Sequence, residues 1–316
     1  MRAEACPHLA MQHDLRHRCD QRPIYTNHSE VGYLIVQHQR LAAGHATLDQ
    51  QIPPQRVVVG GLPTVSTTRT QLAQMMVDDC LSARQSRAGV EPKLVFSSNG
   101  QGVSLAGKSA EFRDVMLEAN WIHGDGQSIV IASKMTEAPL PERIATTDFF
   151  HDAAEAAIRN DLSFFIFGGS ENQNRTATDA IRKLYPGIKI AGRRNGYFKP
   201  DEEDGICREI RESGADVLWV GLGKPFQEEW SVRNRHKLQG VAWLKTCGGL
   251  YAFLCGDAPR APEWMQRLGL EWLFRTMQDP KRLAWRYLTT NPHSFYRLIV
   301  HTRRQAVDGQ RAESAS

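Results

Sequence analysis

From residue 56 onward, short apolar runs alternate with segments whose apolar residues recur at helical spacing. The run Val57–Val59 comes first, and Leu72, Met75 and Met76 then follow at the i, i+3, i+4 period of a helix. Further apolar runs are Leu94–Phe96, Ile129–Ile131, Phe164–Phe167, Ile188–Ile190, Val217–Val220 and Val241–Leu244. Such alternation is typical of α/β folds, so the sequence predicts a mostly parallel sheet wrapped by helices.

The 316 residues are enough for one large α/β domain with appendages or for two small domains. Residues 1–55 show no helical or alternating period and end in Ile52-Pro53-Pro54, so we expect a poorly ordered N-terminal extension. We place the α/β core at 56–258, a basic and aromatic helical appendage at 259–304, and a flexible tail at 305–316.

Composition excludes several classes of protein. Hydrophobic residues make up 41% and charged residues 23%, which excludes collagen, wholesale disorder and a coiled coil. No apolar run approaches the roughly 18 residues of a membrane helix, and the start of the chain lacks a signal-peptide core, so we expect a cytoplasmic protein. The six cysteines include no CxxC pair and are expected to be reduced thiols. The histidines and cysteines of the N-terminal extension match no standard zinc signature, so we expect no metal site there.

The net charge is only +4, but residues 259–304 contain nine Lys or Arg against three acidic residues. Aromatic residues are interleaved with them, namely Trp264, Trp272, Phe274, Trp285, Tyr287, Phe295 and Tyr296. This pattern suits the anionic inner face of the plasma membrane. A helical cap whose aromatic rings pack on the core is the alternative. Nucleic-acid binding is disfavoured because no recognised module accompanies the basic residues. An exposed Trp-rich face would also suit a homo-oligomer.

Three predicted strands end in glycine-bearing turns: Gly168-Gly169-Ser170, Gly221-Leu222-Gly223-Lys224-Pro225 and Cys247-Gly248-Gly249. In Rossmann-like sheets ligands bind beyond the carboxyl ends of the strands, where glycine lets backbone N–H groups approach a phosphate. Gly169, Gly221 and Gly223 are therefore candidates for binding a nucleotide. The alternative is that these glycines only close tight turns.

These turns do not match the common nucleotide signatures. Phe226 stands where a dinucleotide fingerprint needs its third glycine, and Pro225 stands where a P-loop needs Ser or Thr. No Asp-x-Asp pair follows a strand, so we expect no metal and no other cofactor. Arg, Lys and backbone donors would have to bind any diphosphate.

Four stretches, taken in order between Val57 and Leu298, resemble the WecG/TagA/CpsF family of glycosyltransferases. They are Ser97-Ser98-Asn99-Gly100; Gly124-Asp125-Gly126 with Pro139-Leu140-Pro141-Glu142-Arg143-Ile144; Asn195-Gly196-Tyr197-Phe198 with Gly221-Leu222-Gly223-Lys224-Pro225-Phe226-Gln227-Glu228; and Arg260-Ala261-Pro262 with Gly269–Arg275 and Asp279–Arg282. The resemblance implies transfer of a hexose or N-acetylhexosamine from a UDP-sugar, with inversion, to a polyprenyl-diphosphate-linked acceptor in cell-envelope or exopolysaccharide synthesis.

The resemblance also implies roles for individual residues. Asp125 is similar to the family's proposed catalytic aspartate, and its turn-forming position is the alternative explanation. Arg143 and the C-terminal arginines Arg282 and Arg286 would stabilise the leaving UDP.

The remaining candidates concern hydroxyl groups and orientation. Asn99 and Gln227 would fix sugar or acceptor hydroxyls, and the Ser97 hydroxyl would replace a family threonine. Glu228 is expected to orient its neighbours rather than react.

The sequence departs from the family pattern at three places, which bear on the identity of the transferred sugar rather than on the class of reaction. Tyr251-Ala252 stands where many members have Phe-Asp, so a carboxylate is missing. The turn Gly126-Gln127-Ser128 lacks a second glycine, and the N-terminal extension has no family counterpart. The missing carboxylate motivates an alternative function, a non-catalytic nucleotide-binding scaffold or regulator of a polysaccharide assembly complex. Against this alternative, the joint presence of Asp125, Asn99, Arg143 and Gln227 favours the enzyme.

Overall fold

The computed structural model describes residues 54–86, 89–303 and 306–307. Within them the strands are β1 (Arg56–Val59), β2 (Leu62–Val65), β3 (Lys93–Ser98), β4 (Trp121–Gly124), β5 (Ser163–Gly168), β6 (Lys189–Arg194), β7 (Val217–Gly221), β8 (Trp243–Thr246) and β9 (Ala306–Val307). The α-helices are α1 (Arg69–Gln85), α2 (Gly100–Lys108), α3 (Ala110–Leu117), α4 (Gln127–Ser133), α5 (Thr146–Arg159), α6 (Glu171–Leu184), α7 (Glu203–Glu212), α8 (Phe226–Asn234), α9 (Leu250–Leu254), α10 (Glu263–Arg267), α11 (Glu271–Gln278) and α12 (Pro280–Val300). Short 3₁₀ turns lie at Pro200–Glu202 and Arg235–Lys237.

Six strands form one sheet in the order β4-β3-β8-β7-β5-β6, and every neighbouring pair is parallel. The prediction of a parallel α/β sheet wrapped by helices is confirmed. The strand order differs from that of dinucleotide-binding domains, in which the first strand lies in the middle of the sheet. A second, antiparallel sheet has the order β2-β1-β9.

Both faces of the parallel sheet are buried. On β7, Leu218 and Val220 belong to one apolar cluster, while Val217 and Trp219 belong to the other. Because side chains alternate along a strand, the two clusters lie on opposite faces. Helices α2, α3, α4, α7 and α8 contribute to the first cluster, and α1, α5, α6 and α9 to the second. This burial explains why the strands are continuous apolar runs.

Two details of the sequence-based alternation are corrected. The run Ile129–Ile131 lies within helix α4, and the neighbouring strand is Trp121–Gly124, which the apolar pattern does not predict. The sequence pattern does not indicate this strand because it is four residues long and contains the polar His123. The run Val57–Val59 lies in the antiparallel sheet rather than in the parallel one.

The C-terminal segment is helical between residues 263 and 300 and packs on the core. Along α12, Leu283 and Leu298 are buried, and the helix lies against α2. The residues of β9, inside the predicted tail, pair with β1. The predicted extension 1–55 lies outside the described residues except for Pro54 and Gln55, so the proposed domain boundaries stay predictions.

The buried indole of Trp219 provides a test of the core. Its ring centroid lies 4.8 Å from that of Phe150 and 5.5 Å from that of Phe164. We expect Trp219→Ala to lower the free energy of unfolding by about 3 kcal/mol or more, because it leaves a cavity between the sheet and α5. Trp285→Ala is the matched control, since that side chain is 72% exposed and its loss should leave the urea midpoint unchanged. Equal effects of the two substitutions would contradict this packing.

Candidate active site

A cavity of about 500 Å³ opens at the carboxyl edge of the parallel sheet. Residues at or just beyond the ends of β3, β4, β5, β7 and β8 line it, and the C-terminal helices α11 and α12 complete its wall. Its polar lining includes Ser97, Asn99, Gln101, Asp125, Arg143, Thr146, Thr147, Tyr197, Lys224, Gln227, Glu271, Arg275 and Arg286. The cavity therefore lies where ligands bind in open α/β sheets.

Glycine is required where β5 and β7 end side by side. Gly168 has φ of +127°, and a Cβ atom there would lie 2.3 Å from the carbonyl oxygen of Gly221. A Cβ atom on Gly221 would lie 2.5 Å from the buried ring of Tyr251. Larger residues would separate the strand ends, so these glycines keep the backbone of the cavity floor closely packed.

Asp125 follows β4 directly and lies half-buried at the cavity. Its backbone N–H donates to the carbonyl oxygen of Ser98 at 2.8 Å, which joins the ends of β3 and β4. Its Oδ2 accepts a hydrogen bond from the Thr146 hydroxyl at 3.2 Å. Burial raises the pKa of Asp125, while the positive charges of Arg143 and Lys245 oppose that rise. A carboxylate in this setting has the properties of a general base.

Two titratable groups lie buried behind Asp125. Lys245 on β8 is fully buried, and burial lowers its pKa to about 8. His123 on β4 is also fully buried, and burial together with the charge of Lys245 lowers its pKa well below the usual value, so the ring is neutral. Neither ring nitrogen of His123 has a hydrogen-bond partner among the described residues.

An ion pair lies under the β7–α8 turn. Lys224 Nζ donates to Glu228 Oε1 at 2.6 Å, and both side chains are buried. Gln227 Nε2 donates to the same carboxylate oxygen at 2.9 Å, and Gln227 Oε1 accepts from the backbone N–H of Gly248 at 3.0 Å. The side-chain amide of Gln227 therefore ties α8 to the turn after β8.

Arginines reach the cavity from two distant parts of the chain. Arg143 Nη2 forms an ion pair with Glu271 Oε2 at 2.8 Å, which links the segment before α5 to α11. Arg275 stacks over the ring of Phe253 at 5.4 Å, and Arg286 lies over Tyr287 at 4.8 Å. The side chain of Arg282 lies outside the described residues.

Ser97 and Asn99 lie on either side of the end of β3. Ser97 is almost fully buried, and its carbonyl oxygen accepts a hydrogen bond from Lys224 Nζ at 3.3 Å. Asn99 caps helix α2, because its Oδ1 accepts from the backbone N–H of Gly102 at 3.0 Å. The Nδ2 group of Asn99 is thus the end of that side chain that is left to donate to a ligand.

Comparison with known proteins decides the family. The family model described as "Glycosyl transferase WecG/TagA/CpsF family" matches residues 58–308. The chain belongs to the WecG/TagA/CpsF family. It is a glycosyltransferase, as the resemblance predicted.

Several relatives bear the name N-acetylglucosaminyldiphosphoundecaprenol N-acetyl-beta-D-mannosaminyltransferase. The protein from Bacillus subtilis (strain 168) is 30% identical over 203 residues, which are 64% of this chain and 74% of the relative. A protein from Bacillus spizizenii is 31% identical over 63% of this chain and 76% of the relative. One from Staphylococcus aureus (strain MW2) is 25% identical over 75% of this chain and 91% of the relative.

The structure of this WecG/TagA/CpsF protein brings most of the predicted site residues to one cavity. Those that line it are Ser97, Asn99, Asp125, Arg143, Gly169, Gly221, Gly223, Gln227 and Arg286. Glu228 lies behind the lining, where it holds Lys224 and Gln227. The structure therefore shows where these residues lie, while their individual roles in transfer stay predictions.

Sequence reasoning missed several residues of the site. Thr146 and Lys245 had no sequence signal, and Glu271 was included in a family stretch without a role, because the position of each depends on contacts between segments far apart in the chain. Lys224 lies in a glycine-bearing turn that does not match a P-loop, and the sequence alone assigns it no individual role. Its spacing of four residues from Glu228 on a predicted helix start would have indicated the ion pair.

The described residues contain no group of three or more His, Cys, Asp or Glu placed to hold a metal ion. The predicted independence of metal and cofactor stays a prediction. Within the same residues, no helix combines the length and the apolar character needed to cross a membrane.

The buried ion pair under the β7–α8 turn should matter for stability. We expect Glu228→Gln to lower the free energy of unfolding by about 3 kcal/mol, because Lys224 would keep a buried charge without its carboxylate. Glu263→Gln is the control, since the Glu263–Arg267 pair is exposed and should contribute nothing measurable. Urea denaturation of both variants measures the difference. An unchanged midpoint for Glu228→Gln would show that the pair does not form.

Proposed function

We propose that this glycosyltransferase moves a hexose or N-acetylhexosamine from a UDP-sugar to a polyprenyl-diphosphate-linked acceptor during synthesis of a cell-envelope or extracellular polysaccharide. The observation that carries the proposal is the position of Asp125 at a cavity that four cationic side chains also line. The relatives' printed names describe transfer to an N-acetylglucosaminyldiphosphoundecaprenol, which supports the class of acceptor.

The proposed chemistry is a direct displacement. Asp125 accepts the proton of the acceptor hydroxyl while that oxygen attacks the anomeric carbon. The bond between the anomeric carbon and the phosphate oxygen breaks, and UDP departs with the electron pair. Attack from the face opposite the leaving group inverts the anomeric configuration. The Thr146 hydroxyl, which donates to Oδ2, orients the carboxylate for this step.

Charge in the cavity favours a diphosphate. Arg143, Lys224, Arg275 and Arg286 line it; Glu228 neutralises Lys224 and Glu271 pairs with Arg143, so Arg275 and Arg286 provide the excess positive charge beside Asp125. Fixed positive groups in a partly enclosed site stabilise the negative charge that develops on the leaving UDP. We propose that these groups perform the task without a metal ion.

The same protein is proposed to lie on an anionic membrane surface through α10–α12. Of the twenty large hydrophobic side chains that are exposed among the described residues, eleven belong to residues 264–300. On α12, Trp285 and Leu288 are exposed although Leu283 and Leu298 already pack on the core, so the helix has two apolar faces. Exposed basic residues, Arg267 and Lys281, flank them. Aromatic and basic groups together suit lipid headgroups.

Thermal unfolding measured with UDP, UDP-hexoses and UDP-N-acetylhexosamines tests which donor binds. GDP, NAD and ATP are the controls. A ligand that binds the native state raises the melting temperature by mass action. Stabilisation by uridine nucleotides alone supports the proposal and selects a donor for transfer assays with a lipid-linked acceptor. Binding without transfer to any such acceptor would favour a nucleotide-binding scaffold instead.

Asp125→Asn separates binding from catalysis. The amide cannot accept the acceptor proton, so transfer should fall by at least about 100-fold, while uridine nucleotides should still raise the melting temperature. Asp201→Asn, on the exposed Pro200–Glu202 turn, is the control and should transfer normally. Near-normal transfer by the Asp125 variant would exclude Asp125 as the base.

Membrane binding is tested with the double variant Trp285→Ser, Phe295→Ser. We expect it to lose flotation with vesicles that contain anionic phospholipid, because both side chains are exposed on α12, and to keep the wild-type melting temperature. Leu184→Ser, at an exposed position on α6, should float normally. If the variant still floats but its sedimentation shows the loss of a dimer, the face serves self-association instead.

A further inference from the structure

Lys245 is a buried cation for which the proposed transfer has so far given no role. The residue is fully buried in β8, and its Nζ donates to the carbonyl oxygen of Thr246 at 2.6 Å. None of the ion pairs formed by the described residues includes it. A lysine is almost never fully buried without a paired carboxylate, since desolvation of its charge is costly. Its presence therefore has to be explained by something other than stability.

The sheet register places Lys245 beneath the cavity. Val95 of β3 is aligned with Lys245 on one side and with Trp121 on the other, and two residues further on Ser97 is aligned with His123. Side chains two residues apart point to the same face of a sheet, so Lys245, Ser97 and His123 share a face. Because its Nζ bonds the carbonyl oxygen of the following residue, the ammonium group extends toward the edge where Asp125 lies.

The charges around these two groups come from several elements. Asp125 interacts with Arg143 before α5, with Glu271 on α11 and with Lys245 on β8. Lys245 interacts with Asp125 and also with Cys247, Lys224 and Glu228. His123 is neutral, and Glu228 is already paired with Lys224 at 2.6 Å. Asp125 is therefore the carboxylate near Lys245 that lacks a lysine partner of its own within the described structure.

We propose that Lys245 is a positioning residue of the transfer reaction, whose buried ammonium group holds the Asp125 carboxylate in the ionised form that can accept a proton. The inference rests on the proposed function, in which Asp125 is the base. It gives the buried lysine a task that a surface residue could not perform, because a charge acts more strongly where water is excluded.

The direction in which Lys245 moves the pKa of Asp125 follows from the charges of the two groups. Burial raises the pKa of Asp125, and the positive charge of Lys245 lowers it again, so loss of that charge moves the pKa of Asp125 upward. Lys245 itself has a pKa of about 8 and loses its charge above that pH. Lys245 is therefore charged throughout the acid limb of the pH–rate profile, where Asp125 takes up its proton, and its effect should appear on that limb.

Lys245→Met tests the inference, because it keeps the shape of the side chain and removes the charge. We expect the acid limb of kcat/KM to move up by about one pH unit, so that the variant is about ten-fold slower on that limb and near normal at neutral pH. Above the acid limb, where Asp125 is ionised in both proteins, the two rates should be the same. The melting temperature should stay the same or rise, since an unpaired buried charge has been removed.

Lys93→Met is the matched control from the opposite end of the same sheet. Lys93 begins β3 and forms an ion pair with Asp79 at 2.6 Å. Its loss should leave the pH profile unchanged and should not raise the melting temperature. A purely structural lysine at position 245 would behave in the same way, so the two variants separate the explanations.

A second measurement does not require turnover. The ¹³C carboxyl resonance of Asp125, assigned by its absence in Asp125→Asn, should titrate at higher pH in Lys245→Met than in the wild type. An identical titration in both proteins would overturn the inference even if the wild type transferred no sugar, and a wild type without transfer would count against the proposed function alone. If Lys245→Met does not fold, Lys245→Gln takes its place in the same NMR comparison, and an Asp125 titration identical to that of the wild type would again overturn the inference.

Discussion

All six strands of the large sheet run in the same direction, and this constraint determines where polar groups can lie. Helices cover both faces, so the strands have to be apolar over most of their length. The buried polar residues within β3, β4 and β8 stand toward the carboxyl ends, at Ser97-Ser98, His123 and Lys245-Thr246. The carboxyl ends of all six strands lie at one edge, and the cavity opens there. Polar and titratable side chains are concentrated at this edge because the rest of the sheet is buried on both faces.

Charges near that edge are compensated inside the protein. Glu228 neutralises Lys224 beneath the turn, and Glu271 pairs with Arg143 at the cavity wall. The first pair is buried and fixes the geometry of the β7–α8 turn, whereas the second lies in the lining, where a bound anion would compete with the carboxylate. A diphosphate would therefore meet arginines that are already oriented, which reduces the entropy lost on binding.

The sequence was most informative where a pattern is local. Strands such as Phe164–Phe167 and Val217–Val220 are identifiable because burial on both faces makes each a continuous apolar run. The glycine turns and the Asp125 turn are likewise local, and the structure brings them to one edge. Trp121–Gly124 could not be identified, because a four-residue strand with a buried histidine has no periodicity. Lys245 could not be identified for a different reason, since its position near the site depends on strand register and not on its neighbours in sequence.

The C-terminal helices connect the two parts of the proposed function. Glu271, Arg275 and Arg286 of α11 and α12 form part of the cavity wall, so this segment belongs to the site as well as to the surface. Helix α12 packs Leu283 beside the cavity and exposes Trp285 and Leu288 a short distance along the same helix. If the proposed function is correct, a lipid-linked acceptor would lie along this helix. Its diphosphate would lie near Arg275 and Arg286, and its hydroxyl would point toward Asp125. One helix would then set both the depth of the protein on the membrane and the distance between acceptor and base, which explains why a single segment combines apolar, aromatic and basic residues.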